Sequence, residues 1–388
     1  MGTQRREQQP ETTAITAGRD ASGALTPPLW TSTTWDTNDL EGTHAGAKSV
    51  HQTGFYSRYA NPTVEAFEHA VAELEGTEAA LAFASGMGAI ATTVLALCSS
   101  GDHIVAQRNM YAGTLGFLDG PCKRLGIDVT YVDGRNAGEF ATAVRPGKTV
   151  LVMAETPTNP HLDVVDLEAL GAIKGPFTLV DSTLATPLGQ QPCKSGVSIS
   201  LHSATKGIAG HNDATLGVIA AERDIIDTIW GYSVLHGATP SPFDALNGLR
   251  GIRTLGARLR QQCESTQHLA EWLSAHPAVK RVNYPGLTSH PQHELAKRQM
   301  RWFGSIMSVE MSGGVEAARS LLTRLQLVRT AVTLGGPDTL ISHSATSTHL
   351  SVPPEVKQAT GINDGLLRIS VGLEAHADIQ KDFQQALN

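Results

Sequence analysis

Short apolar runs alternate with helix-period stretches from Asn61 to Ala220, and this alternation constrains the fold more than any other feature of the 388-residue chain. Asn61 suits a helix N-cap and Pro62 the first helical position. Val64, Phe67, Val71 and Leu74 then recur at helical spacing, and Gly76 is placed to stop the helix. Residues 79–84 predict a strand, 87–97 a helix, 103–106 a strand and 114–125 a helix. Further strands are predicted at 129–132, 149–154, 178–180, 197–201 and 216–220. Strands separated by helices in this way predict an α/β fold with a mainly parallel sheet covered on both faces. The pattern turns helical around 240–256, with one long helix over 257–275. A strand at 304–311, a helix at 314–325 and a strand at 367–371 follow. We therefore expect an N-terminal arm over 1–55, a large domain over 56–250 and a smaller C-terminal α/β domain over 251–388. Within the arm, 1–24 is expected to be loose and 25–55 extended.

Composition narrows the class of function. The chain is 41% hydrophobic and 17% charged, which is globular, and its net charge of −7 disfavours nucleic acid or an anionic membrane as partner. Cys98, Cys122, Cys193 and Cys263 form no CxxC pair and no zinc-spaced cluster, so reduced thiols in a cytoplasm are expected. His290 and His293 lack a third ligand at suitable spacing, and no metal is expected. Residues 1–24 carry no apolar segment of the signal-peptide kind. No run reaches the roughly 18 apolar residues of a membrane span.

Chemistry gathers where strands end, as it does in parallel α/β sheets. Ser203-Ala204-Thr205-Lys206 follows an apolar strand and leads into Gly207-Ile208-Ala209-Gly210. A lysine there suits a Schiff base with an aldehyde cofactor, and the two hydroxyls suit that cofactor's phosphate. Asp181 ends Thr178-Leu179-Val180; it is either a helix cap or a carboxylate paired with the pyridine nitrogen of pyridoxal phosphate. Ser85-Gly86-Met87-Gly88 joins a strand to a helix and offers backbone N–H groups to an anion. The same stretch, Gly86 to Ala91, fits the loose dinucleotide pattern G-x-G-x-x-A, which would make the protein a nicotinamide oxidoreductase. Arg58, in Tyr56-Ser57-Arg58, suits a phosphate clamp. Tyr111 is placed to stack on a ring or relay a proton. Arg368 is a charge inside an apolar strand and needs an anionic partner, either a substrate carboxylate or an internal ion pair.

From about Leu25 to the C-terminus the chain resembles the cysteine/methionine-metabolism family of pyridoxal-phosphate enzymes. The resemblance rests on Tyr56-Ser57-Arg58 with Asn61-Pro62-Thr63, Ala84-Ser85-Gly86-Met87, Glu155-Thr156-Pro157-Thr158-Asn159-Pro160 and His202-Ser203-Ala204-Thr205-Lys206. Tyr284-Pro285-Gly286-Leu287 and Arg368-Ile369-Ser370-Val371-Gly372 complete it. It implies fold-type I, pyridoxal 5'-phosphate as cofactor, a small amino-acid substrate and a homotetramer of two tight dimers. It also implies roles. Lys206 would be the Schiff-base lysine and proton shuttle, and Asp181 would pair with the pyridine nitrogen. Gly86, Met87, Ser203 and Thr205 would hold the phosphate, with Tyr56 and Arg58 reaching in from a neighbouring subunit. Tyr111 would stack on the ring, Asn159 would sit near the ring hydroxyl, and Arg368 would bind the substrate α-carboxylate, with Thr333 close by. The implied reaction passes through an aldimine, a carbanion and a β,γ-unsaturated intermediate. It ends in γ-elimination or, if a nucleophile adds, in γ-replacement.

Within the family the chain looks most like the methionine γ-lyases, through Phe55-Tyr56-Ser57-Arg58, Ala84 to Ile90 and Ala331-Val332-Thr333-Leu334-Gly335. Phe55 and Val332 stand where cystathionine-handling members often carry glutamate. Several positions depart from the methionine γ-lyase pattern. Gly113 replaces a cysteine, Gly231-Tyr232-Ser233-Val234 lacks a Lys-Asp pair, and Gly207 replaces a tyrosine. Thr333 replaces a serine, Ser182 and Leu184 follow Asp181, and Tyr59-Ala60 follows Arg58. The expectation is a γ-lyase for a compact γ-substituted amino acid that has drifted from methionine, with a thiol, an acyl ester or a halide as leaving group.

Overall fold

The computed structural model describes residues 8–19, 23–347, 350, 357 and 361–388. Seven strands form the first sheet: β1 (Ala79–Phe83), β2 (His103–Gln107), β3 (Asp128–Val132), β4 (Thr149–Glu155), β5 (Phe177–Asp181), β6 (Ile199–His202) and β7 (Gly217–Ala221). Their spatial order is β1-β7-β6-β5-β4-β2-β3. β7 runs antiparallel to both its neighbours, and the other pairings are parallel. The strands alternate faces as extended backbone requires. Ala80 and Ala82 enter the core under the helix Pro62–Glu75, whereas Leu81 and Phe83 enter the core with Ile90, Val94, Ile226 and Ile229. Asn61 caps the first of these helices by accepting from the Thr63 N–H, and Gly76 ends it at φ +73°.

The dinucleotide reading of Gly86 to Ala91 is overturned here. It needs a helix entered from a central strand of a parallel unit. β1 instead lies at the sheet edge, antiparallel to β7.

The second sheet is β8 (Val279–Asn283), β9 (Ile306–Met311), β10 (Arg329–Thr330), β11 (Leu340–His343) and β12 (Leu366–Ser370), in the order β10-β11-β12-β9-β8. It is antiparallel except for β10 and β11. Between the sheets runs one helix, Pro242–Ser274, of 33 residues. The sequence reading divided this stretch; the structure shows it unbroken across position 250. Its first half puts Ala245, Leu249, Ile252 and Leu255 into the core of the first sheet, and its last turns put Leu269, Ala270 and Leu273 into that of the second.

Three local expectations need correction. The loose arm contains a helix, Pro10–Thr16, whose Ala14 joins the core of the first sheet together with Ala17 just beyond it. Seven residues are too few to show a period in sequence. The extended segment contains a second helix, Leu40–Lys48, capped by Asp39. The helix expected over 114–125 is split into Ala112–Phe117 and a wider turn, Leu118–Cys122, with Pro121 inside it. Proline has no N–H to continue an α-helical ladder.

Candidate active site

β4, β5 and β6 run parallel, so their carboxyl ends lie side by side. Glu155 ends β4 and Asp181 ends β5, as register partners, and Ser203 follows β6. Asp181 is buried, and its Oδ1 accepts from Thr183 N at 3.0 Å and Thr183 Oγ1 at 2.5 Å. It is not a helix cap: the nearby helix begins at Thr186 and is flanked by Ala185. Burial raises the proton affinity of Asp181, opposed by the Thr183 hydrogen bonds and by His202. Thr183 Oγ1 in turn accepts from Ser203 N at 2.8 Å, so the aspartate and the motif before Lys206 form one network.

Gly86 opens the helix Gly86–Leu97, which Ser85 caps through Gly88 N. A Cβ at Gly86 would lie 2.7 Å from Ser203 Cβ, so only glycine lets this helix start so close to Ser203. The result is a concave corner of backbone N–H and hydroxyl groups at a helix N-terminus, the geometry that receives a phosphate. Thr205 lies in the same turn, but its hydroxyl donates to Leu216 O at 3.1 Å and accepts from Leu216 N at 2.8 Å.

Lys206 Nζ donates to Thr333 Oγ1 at 3.0 Å. Its ammonium is held below the ordinary lysine range, first by burial and then by the charge of Arg368. Arg368 is central in β12. Leu367 and Ile369 point into the core of the second sheet, so Arg368 points the other way. Ser342 and Ser308 are its cross-strand partners, small enough to leave room for a guanidinium. Arg368 is 2% exposed; it donates to Val332 O at 3.1 Å, Thr333 O at 3.0 Å and, at 3.5 Å, Asn159 Oδ1. Its buried Nε has no partner, and no ion pair reaches it among the described residues. Burial pulls its pKa down to about 10. An arginine buried this deeply with an orphaned donor fits an anionic ligand rather than an internal ion pair.

Tyr111 is 39% exposed and near enough to Arg368 to influence its charge. A Cβ on Gly113 would fall 2.5 Å from Tyr111 Cε1 and 3.1 Å from Met87 Sδ. Met87, Tyr111 and Gly113 therefore share one wall. Asn159 is buried beside Arg368.

Tyr56 and Arg58 are placed differently. Arg58 donates to Val234 O at 2.6 Å and lies 5.3 Å from the Tyr56 ring centroid and 5.6 Å from that of Tyr59. Tyr56 bridges to Thr34 and is exposed. Among the described residues, none of their hydrogen bonds or ring contacts reaches Lys206, Asp181 or Arg368.

Two contributors had no role assigned from sequence: Glu155, which appears there only within a motif, and Arg258. Glu155 accepts from Tyr111 N at 2.6 Å and from Asn159 N at 2.7 Å. The signal was present: like Asp181, it is a carboxylate closing an apolar run. Arg258 is buried in the long helix and donates to Gly207 O at 3.0 Å, Ile208 O at 3.2 Å and Gly251 O at 2.7 Å, tying the turn after Lys206 to that helix. Nothing in sequence separates Arg258 from the other arginines of this helix, because only tertiary packing decides which face is buried.

A buried amine, a carboxylate one strand away, an anion corner at a helix N-terminus and a buried arginine define an α/β enzyme of the pyridoxal-phosphate fold-type I class. The Cys/Met metabolism PLP-dependent enzyme family matches residues 11–388, and the chain belongs to it. It is 41% identical over 386 residues to an L-methionine gamma-lyase of Fusobacterium nucleatum subsp. polymorphum, covering 97% of each chain. It is also 41% identical over 335 residues to an O-succinylhomoserine sulfhydrylase of Pseudomonas aeruginosa, covering 86% of this chain and 83% of the other. The structure of cystathionine gamma synthase from Xanthomonas oryzae pv. oryzae superposes with a TM-score of 0.93 at 35% identity, covering 98% of both chains. The cofactor is therefore pyridoxal 5'-phosphate and the substrate a small amino acid. Among the described residues no helix is long and apolar enough to cross a membrane.

Proposed function

We propose that the protein catalyses γ-elimination on a compact γ-substituted L-amino acid. The observation that carries this reading is Val332. Its carbonyl accepts from Arg368, and the residue is apolar and 66% exposed. A substrate held by its α-carboxylate on Arg368 then presents its chain to an apolar wall, which offers nothing to a distal ammonium group. When bound, pyridoxal phosphate supplies the electron sink that makes Cα acidic. Lys206 Nζ takes and returns protons at Cα and Cβ, and its depressed ammonium pKa suits a base acting near neutral pH. Thr333 Oγ1 holds that amine between transfers. Asp181 would pair with the ring nitrogen and keep it protonated, Gly86, Met87 and Ser203 would hold the phosphate, Thr205 would join them by giving up its bond to the Leu216 carbonyl, Tyr111 would lie against the ring and Asn159 near the ring hydroxyl. Tyr56 and Arg58, engaged away from Lys206 within one chain, are assigned to the phosphate of a neighbouring subunit in a homotetramer. The cytoplasm is the compartment this reading fits.

The test is an assay of the cofactor-loaded protein on amino acids bearing thioether, acyloxy or halide groups at Cγ, with and without added thiol, all products being identified by mass. A 2-oxo acid and ammonia formed without thiol establish the lyase and its leaving group. A new Cγ–S bond formed only with thiol, and no elimination without it, overturns the lyase in favour of γ-replacement.

A further inference from the structure

We propose that Glu155 is a positioning residue. Its two carboxylate oxygens hold the backbone N–H groups of Tyr111 and Asn159, and so fix the aromatic ring and the amide on either side of the cofactor as one unit. This rests on the cofactor placement argued above. Tyr111 lies on the loop after β2 and Asn159 on the loop after β4, and one side chain bridges them, through Oε2 at 2.6 Å and Oε1 at 2.7 Å. Behind the carboxylate, Glu155 N donates to Gln107 Oε1 at 2.9 Å, which fastens it to the end of β2. Glu155 is 2% exposed and is the register partner of Asp181. Two buried carboxylates side by side are costly, and burial together with Asp181 pushes the Glu155 pKa up to about 8. A residue serving stability alone would be better as glutamine, which avoids that cost. Glutamine, however, keeps an acceptor at only one of the two oxygen positions, and its NH2 at the other would face an amide N–H donor against donor. The carboxylate is the group that satisfies both amides at once.

Glu155→Gln is the test, made on the full-length protein stripped of cofactor and retitrated with pyridoxal phosphate. The proposal expects the dissociation constant to rise by roughly tenfold, the effect of losing one hydrogen bond that holds the site in place. It also expects a weaker visible circular-dichroism band per bound cofactor, since the ring is no longer held in one pose. The apoprotein should melt no lower than wild type. Affinity and band equal to wild type, or a lower melting temperature with an unchanged band, overturn the proposal. Should the glutamine variant not accumulate as folded protein, Glu155→Asp, which keeps the carboxyl group and loses the reach, is read against the same outcomes. A wild-type protein that gives no band overturns the cofactor placement as well; a wild-type band with an unaltered variant overturns only the role of Glu155.

Discussion

Lys206 Nζ donates to Thr333 Oγ1 at 3.0 Å, joining the turn after β6 to the segment before β11. The amine proposed as proton carrier is therefore held by a residue from the second sheet's side of the molecule, within the stretch whose carbonyls also hold Arg368. One short segment thus holds both the proposed base and the proposed carboxylate site.

Thr333→Ala is expected to lower kcat by roughly tenfold, as loss of a hydrogen bond to a charged donor would. Thr333→Ser keeps the hydroxyl and should stay close to wild type. Steady-state kinetics on both variants decide it: equal losses would show that the methyl group, not the hydroxyl, matters.

Arg368→Leu should move the Lys206 titration to higher pH in the apoprotein. Burial and the arginine's charge both disfavour the ammonium form, so removing the charge relieves one of them. Competitive labelling of Lys206 with acetic anhydride across a pH series gives the midpoint. A midpoint that stays or falls would contradict the electrostatic account.

Stability against pH offers a third check. A folded-state pKa of about 8 means that the folded chain keeps a proton on Glu155 which the unfolded chain has already released above the ordinary carboxylate range. Folded stability must then decline as pH rises through that window and level off above about 8. Glu68, raised to about 8 by burial, acts in the same direction and is present in both proteins compared. The Glu155→Gln apoprotein should therefore lose less melting temperature than wild type between mildly acidic pH and pH ~8, and an identical slope would refute this.

Gly113→Cys introduces the cysteine that the resemblance to methionine γ-lyases leads one to expect, but here its Cβ would fall 2.5 Å from the Tyr111 ring. The ring must move, and a displacement near 1 Å in a reacting geometry costs up to about a hundredfold. We expect kcat to fall by roughly ten- to a hundredfold, with a changed visible spectrum of the bound cofactor. An unaltered spectrum and rate would mean that the ring is not fixed by this contact.

Much of this was legible in the chain because local and global signals agree. The helix after Asn61 carries its cap, its period and its stop in sequence, and Asp181, Lys206 and Arg368 stand out as polar residues at or inside apolar strands. The helix Pro10–Thr16 was not legible, since it is defined by where Ala14 and Ala17 pack rather than by a pattern of its own. Glu155 carried the same signal as Asp181, but its two partners are backbone amides on separate loops, which no spacing announces. Arg258 was hidden among similar residues, because the path of the chain, not the residue type, brings it under the lysine turn.

The helix Pro242–Ser274 has a consequence for how such a molecule can be divided or inherited. At 33 residues it is about 50 Å long, and it is packed into both cores. A cut near position 250 would leave the N-terminal fragment without Ile252, Leu255 and Leu259 of its own core, and would give the C-terminal fragment an apolar stripe with nothing to cover it. Neither piece is a portable module. A chimera that exchanges the second sheet with a relative must carry the whole helix, and with it the Arg258 clamp, so the incoming helix has to fit the turn after Lys206 that the recipient keeps.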